Sequence, residues 1–171
     1  ELARTIDQLL VEEIPPRRLR EIELNEAMSA HWQRALDLFA VVLDRWPAEL
    51  QRIGRIDAAE RRGLLLQRLA ERWDRTPPAG FVCTAGVTDS APAVARLLRC
   101  VADSLRGMVV LADLATGMDE VEWQALGPHA PDPATGLTRR SIETHPQFHL
   151  KLLLERMSVN RSEVRLWRDG S

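Results

Sequence analysis

Four sets of residues in this chain have types and spacings that could do chemistry. Asp113 closes the apolar run Val109-Val110-Leu111-Ala112, and Asp119 and Glu120 follow closely. A carboxylate at the end of a buried parallel strand, with others nearby, is one way an α/β enzyme holds a divalent metal. His145 and His149 stand four apart, with His129 earlier in the chain. Two histidines at that spacing share a helix face and can bind zinc. Pro146-Gln147-Phe148 lies between them, so the glutamate of the helical zinc motif is missing, and His145 precedes a proline that disfavours helix there. Cys83 and Cys100 are the only thiols. Neither has a metal-ligand spacing or a recognisable histidine partner, and free buried thiols fit best. Arg17-Arg18, Arg61-Arg62 and Arg139-Arg140 are short basic clusters. Arg20, Arg34, Arg45 and Arg52 interleave with Trp32 and Trp46, a mixture that can meet single-stranded DNA. The simpler reading is a solvated helix face with the Trp rings in the core.

The elements that must position these residues fall into two halves. Residues 1–75 read as helix. Leu2, Ile6, Leu9 and Leu10 have helical spacing up to Pro15-Pro16. Trp32, Leu36, Phe39, Ala40 and Leu43 mark a long helix over 27–46. Pro47 suits the first turn of a following short helix that Gly54 ends. Asp57, with Glu60 three residues on, starts another helix carrying Leu64, Leu65, Leu69 and Trp73. Pro77-Pro78-Ala79-Gly80 is the break between domains.

After residue 80 the pattern changes. Phe81–Thr84 and Met108–Ala112 read as short buried parallel strands. Asp89 or Ser90 caps the helix between them, which carries Val94, Leu97, Leu98 and Val101. Two such strands joined by a helix make a right-handed β-α-β crossover. Gly127–Ser141 reads as an exposed loop, Pro146 opens a further helix, and Val164–Trp167 reads as a last strand. The expected fold class is therefore α/β: a helical domain over 1–75, then a short parallel β-α-β layer within 80–171.

That layer has the layout of a nucleotide-binding motor with its chemistry missing. The first strand runs into Ala85-Gly86, where a motor ATPase carries acidic residues for Mg²⁺ and water. GxxxxGK[ST] does not occur, Gly80 and Gly86 are wrongly spaced for GxGxxG, and there is no GxSxG. The single lysine, Lys151, lies in an apolar helix rather than a phosphate loop. Asp113 then reads as a loop residue that turns the chain. No catalytic residue, cofactor site or metal site is expected.

Composition sets the outer bounds. The 171 residues suffice for one sizeable domain or a domain with an appendage. Net charge is −2, which gives no global field for nucleic acid or anionic membrane. Arg outnumbers Lys by 22 to one, and five Trp accompany no Tyr, a bias that suits a GC-rich genome. No apolar run approaches the roughly 18 residues of a membrane span, and no signal peptide is visible, so a soluble cytoplasmic location is expected. The chain starts at Glu1 with a helix under way, which suggests a piece of a longer protein.

Several phrases, in order along nearly the whole chain, resemble one family. They are AHWQRALDLFAVVLDRWPAEL (30–50), IDAAERRGLLLQRLAERW (56–73) with PPAG (77–80), DEVEWQALGP (119–128) and HPQFHLKLLLERM (145–157). Together they resemble the AddB subunit of the AddAB ATP-dependent helicase-nuclease, in its alphaproteobacterial double-strand break repair form. The resemblance implies an internal segment of the helicase-like half of a much longer subunit. Residues 1–75 would be an insertion domain, and 80–171 part of a superfamily-one (P-loop NTPase-like) motor domain. In active relatives the first strand leads to an acidic pair, and the second ends in Gly-Asp with a Gln soon after. Here those positions read Ala85-Gly86 and Ala112-Asp113, and Leu114-Ala115-Thr116 supplies no Gln. That departure agrees with the family's degenerate, non-translocating motor. The implied role is non-enzymatic: scaffolding an AddA-like helicase-nuclease partner and helping to hold single-stranded DNA, with no membrane involved. Its nuclease motif and cluster cysteines would lie outside this chain. The expected DNA contacts are Arg17, Arg18, Arg61, Arg62 and Thr88, with the loops 85–89 and 113–119. Two other readings stand beside it. One is a stand-alone helical protein-interaction module, and the other a small metal-dependent α/β enzyme using Asp113, Asp119 and Glu120.

Overall fold

The computed structural model describes residues 2–15 and 30–167. The fold is mixed α/β. Its elements are α1 (Leu2–Val11), α2 (Ala30–Arg52), α3 (Ala58–Arg75), β1 (Val82–Ala85), α4 (Pro92–Asp103), β2 (Gly107–Val110), α5 (Glu120–Ala125) and α6 (Phe148–Arg156), then a 3-10 turn at Arg161–Glu163. The chain divides into two compact units, 1–68 and 69–171, so the last turns of α3 belong to the second. Among the described residues no helix is long and apolar enough to cross a membrane.

In the first unit, α1 ends before Pro15 through its own backbone. Ile14 N–H donates to Leu9 O at 2.9 Å and Glu13 N–H to Leu10 O at 3.2 Å, with Glu13 in the left-handed region at φ 55°. This is a Schellman cap built on a non-glycine residue. The end of α2 has the same geometry with the glycine the motif prefers. Arg55 N–H reaches Leu50 O at 2.8 Å, and Gly54 sits at φ 63°. The helix break expected at Pro47 does not occur. The helix continues through it, although Pro47 has no N–H to give to the ladder. Asp57 accepts from Ala59 N–H at 2.8 Å and so caps α3 as expected. Among the residues of 1–68 whose burial is described, Ile6 and Leu50 are the buried apolar ones.

The second unit carries the core. β1 and β2 pair in parallel, with Thr84 opposite Val109 and Ala85 opposite Val110. Each strand sits one residue from its expected start. Val82 N–H donates to Arg106 O at 2.8 Å, which begins the ladder at Val82 and Gly107. β2 stops at Val110 because the chain turns at 112–113, with Asp113 at φ 57°. α4 packs on both strands and α6 packs on α4. Their shared core is Ala95, Leu98, Leu153 and Met157, joined by Val109 and Leu111 of the sheet side. A second cluster of Trp123, Leu126, Phe148 and Leu154 fastens α5 and α6 to Leu111 and Leu114.

Three further expectations change. The strands are not buried on both faces: Cys83 and Ala85 are exposed, while Val82 and Thr84, which alternate with them, are partly buried. Val164–Trp167 is not a strand; it follows the 3-10 turn as unpaired chain. That turn is fixed by a capping box, in which Asn160 accepts from Ser162 N–H at 2.9 Å and Glu163 accepts from Asn160 N–H at 2.7 Å. Trp46 is not a core ring. It is 42% exposed and donates through Nε1 to Asp57 at 3.3 Å.

Candidate strand-edge site

In a parallel β-α-β unit, ligands gather where the strands end in their C-terminal loops. That edge is formed here by residues 86–91 after β1 and 111–119 after β2. The first loop leaves β1 at Gly86, whose φ of 66° is open to glycine at low cost. Gly86 N–H still donates to Val110 O at 3.1 Å, so both strands end together. Asp89 then accepts from Ala91 N–H at 2.9 Å, but neither Asp89 nor Ser90 is the N-cap expected of them. α4 starts at Pro92 with Ala91 as N-cap and no side-chain cap. Arg156, at the end of α6, donates to Ser90 O at 2.6 Å and ties this loop to the helix layer.

The second loop is held by two side chains from distant sequence. Gln147, just before α6, uses both ends of its amide. Its Nε2 donates to Asp113 O at 2.8 Å, and its Oε1 accepts from Ala115 N–H at 2.9 Å. It thus imitates a neighbouring strand and satisfies a turn that no ladder reaches. Arg161, from the 3-10 turn, donates to Ala115 O at 3.3 Å and to Glu120 at 2.7 Å. Its guanidinium lies 4.7 Å from the centre of the Trp123 ring, within cation–π range. With 11% of its side chain exposed, Arg161 is sheltered on all these contacts. Arg99 performs a similar service for α6, donating to Ser158 O at 3.1 Å and Met157 O at 3.3 Å. A cation there also favours the negative end of the helix.

The residues proposed for metal chemistry have other occupations. Asp119 caps α5 by accepting from Val121 N–H at 2.8 Å, and Glu120 is engaged by Arg161 and Gln124. Asp113 is exposed. His145 lies outside α6 and accepts from Gln147 N–H at 3.1 Å, so it shares no helix face with His149. Among the described residues no group of three His, Cys, Asp or Glu is placed to hold a metal ion. Lys151 is 1% exposed and pairs with Glu155 one turn on. Burial raises the Cys100 thiol pKa, helped by the charges of Asp74 and Asp103.

The expected DNA-contact residues are spread between the two units. Arg61 and Arg62 lie exposed on the first turns of α3, in the first unit. Thr88 is exposed in the loop after β1, in the second. Arg17 and Arg18 lie outside the described residues. Arg34 and Arg45 are exposed on α2, while Arg52 is paired with Glu49 at 2.6 Å. That pairing lowers the Glu49 pKa and raises that of Arg52. Gln147 and Arg161 escaped the sequence reading. The Asn160–Glu163 capping box was a visible signal for the turn that presents Arg161; nothing local marks Gln147. Comparison with protein-family models, curated proteins and solved structures finds no match to this chain.

Proposed function

We propose that this chain is a catalytically silent, helicase-like segment of a double-strand break repair helicase-nuclease subunit, of the AddB kind. Its work is to scaffold an AddA-like partner and to guide single-stranded DNA. The observation that carries the reading is the strand edge. A parallel β-α-β unit ends in Ala85-Gly86 where a motor needs carboxylates. The loop after β2 is pinned by Gln147 and Arg161 instead of being left open for nucleotide. The ordered sequence phrases supply the family.

The scaffolding part draws on the first unit. Leu38, Val41, Trp46 and Leu65 are 62%, 46%, 42% and 56% exposed on its helices. Helices that show this much apolar side chain suit a protein partner. The same feature supports the alternative of a helical interaction module. The DNA part is tested by fluorescence anisotropy with a single-stranded oligonucleotide across a salt series. Binding at low salt, with a log–log slope reduced by about 1.4 in Arg61→Ala/Arg62→Ala, supports two phosphate contacts there. Absence of binding even at low salt removes DNA guidance and leaves the interaction module.

A further inference from the structure

β2 has one bonded edge and one open edge. Val82 and Gly86 N–H groups donate to Arg106 O and Val110 O across the pair. Backbone groups alternate sides along a strand. Arg106, Met108 and Val110 therefore face β1, while Val109 and Leu111 direct their backbone groups away from it. Among the described residues β2 pairs with β1 alone.

A cavity of about 800 Å³ lies against that open edge. Its lining includes all of β2 and all of Val164–Trp167, and no residue of β1. Leu154, Met157 and Val159 of the helix layer close its end. The chain enters the segment already extended, with Val164 at φ −78° and ψ 121°. Two large apolar side chains in it remain outside, Leu166 at 69% and Trp167 at 66% exposed. An unpaired strand edge, a cavity and an extended segment with exposed apolar side chains thus border one another. The path from β2 through α5 and α6 is also long enough for a parallel crossover.

We propose that Val164–Trp167 is a strap that closes on the open edge of β2 as a third parallel strand, filling this cavity. Closure gives the Val109 N–H a backbone partner and shelters the exposed apolar side chains. It also blunts an edge that would otherwise recruit strands from other molecules. The open arrangement is then one of two states of the same segment.

Amide hydrogen exchange, followed by NMR on the full chain, tests this. The comparison is between the unaltered chain and Arg165→Pro/Leu166→Pro, which in either register removes a backbone donor of the strap that would face β2. The expected result is a Val109 amide that exchanges about tenfold faster in the variant. The Met108 amide, which faces β1, stays unchanged as the internal control. Equal Val109 rates in the two chains, whether fast or slow, overturn the strap. If Met108 also accelerates, the unaltered chain decides the matter. Proton–proton contacts from Val109 to Leu166 or Trp167 support closure there, and their absence overturns it.

Discussion

Gln147 offers the most informative single perturbation of the strand edge. Its amide donates to the exposed Asp113 carbonyl and accepts from the part-buried Ala115 N–H, at 2.8 and 2.9 Å. Gln147→Ala removes both bonds at once. The Asp113 carbonyl rehydrates, so that loss is small, at most about 0.5 kcal/mol. The Ala115 N–H is left sheltered without a partner, which costs about 1–3 kcal/mol. The expected destabilisation is about 2 kcal/mol. For a unit the size of residues 69–171, that lowers Tm by about 8–16 °C. Gln147→Glu separates the two bonds. The carboxylate still accepts from Ala115 N–H but opposes the Asp113 carbonyl, so it should cost about 1 kcal/mol. Below about pH 4 the glutamic acid regains a donor, and its deficit relative to the unaltered chain at the same pH should shrink. Thermal unfolding by circular dichroism across pH measures all three chains. Two variants both within about 0.5 kcal/mol of the unaltered chain would refute the assignment, because surface changes alone are that small. So would Gln147→Glu costing more than Gln147→Ala at low pH.

Other expected outcomes follow from single contacts. Gly107→Ala drives a Cβ into Val101 O, a backbone atom with little room to step aside. It should cost more than about 3 kcal/mol and show as lost cooperativity in urea unfolding. Ser158 ends α6 at φ 55°, with Val159 N–H reaching Leu154 O at 2.9 Å in a Schellman cap. Ser158→Gly should stabilise by about 0.5–1 kcal/mol, read as a higher urea midpoint at constant m-value. Burial and neighbouring acids hold the Cys100 thiol protonated, whereas Cys83 is exposed. Iodoacetamide at neutral pH should therefore label Cys83 first, with mass spectrometry assigning the order. Faster labelling of Cys100 would contradict the buried setting.

Much of the fold was legible in the sequence where local chemistry decides it. The helical period of Leu64, Leu65 and Leu69, the Asp57 cap and the Gly54 stop are each settled within a turn of helix. The two short apolar runs joined by a helix likewise made a parallel pair. What local pattern could not fix was anything dependent on distant partners. Val164–Trp167 has strand composition, yet a strand needs a neighbour, and here its backbone is left unpaired. Pro47 is a helix breaker by itself, but α2 runs through it. Gln147 carried no local signal and acquires its role only when α6 brings it to the loop after β2, 32 residues earlier. The sequence by itself determined the helix caps and the pairing of two short apolar strands around a helix, because those depend on side-chain identity and short-range spacing. The tertiary structure alone decided which strand edge stays open and which side chains hold the loops, because hydrogen bonds between distant residues exist only once packing sets their distance.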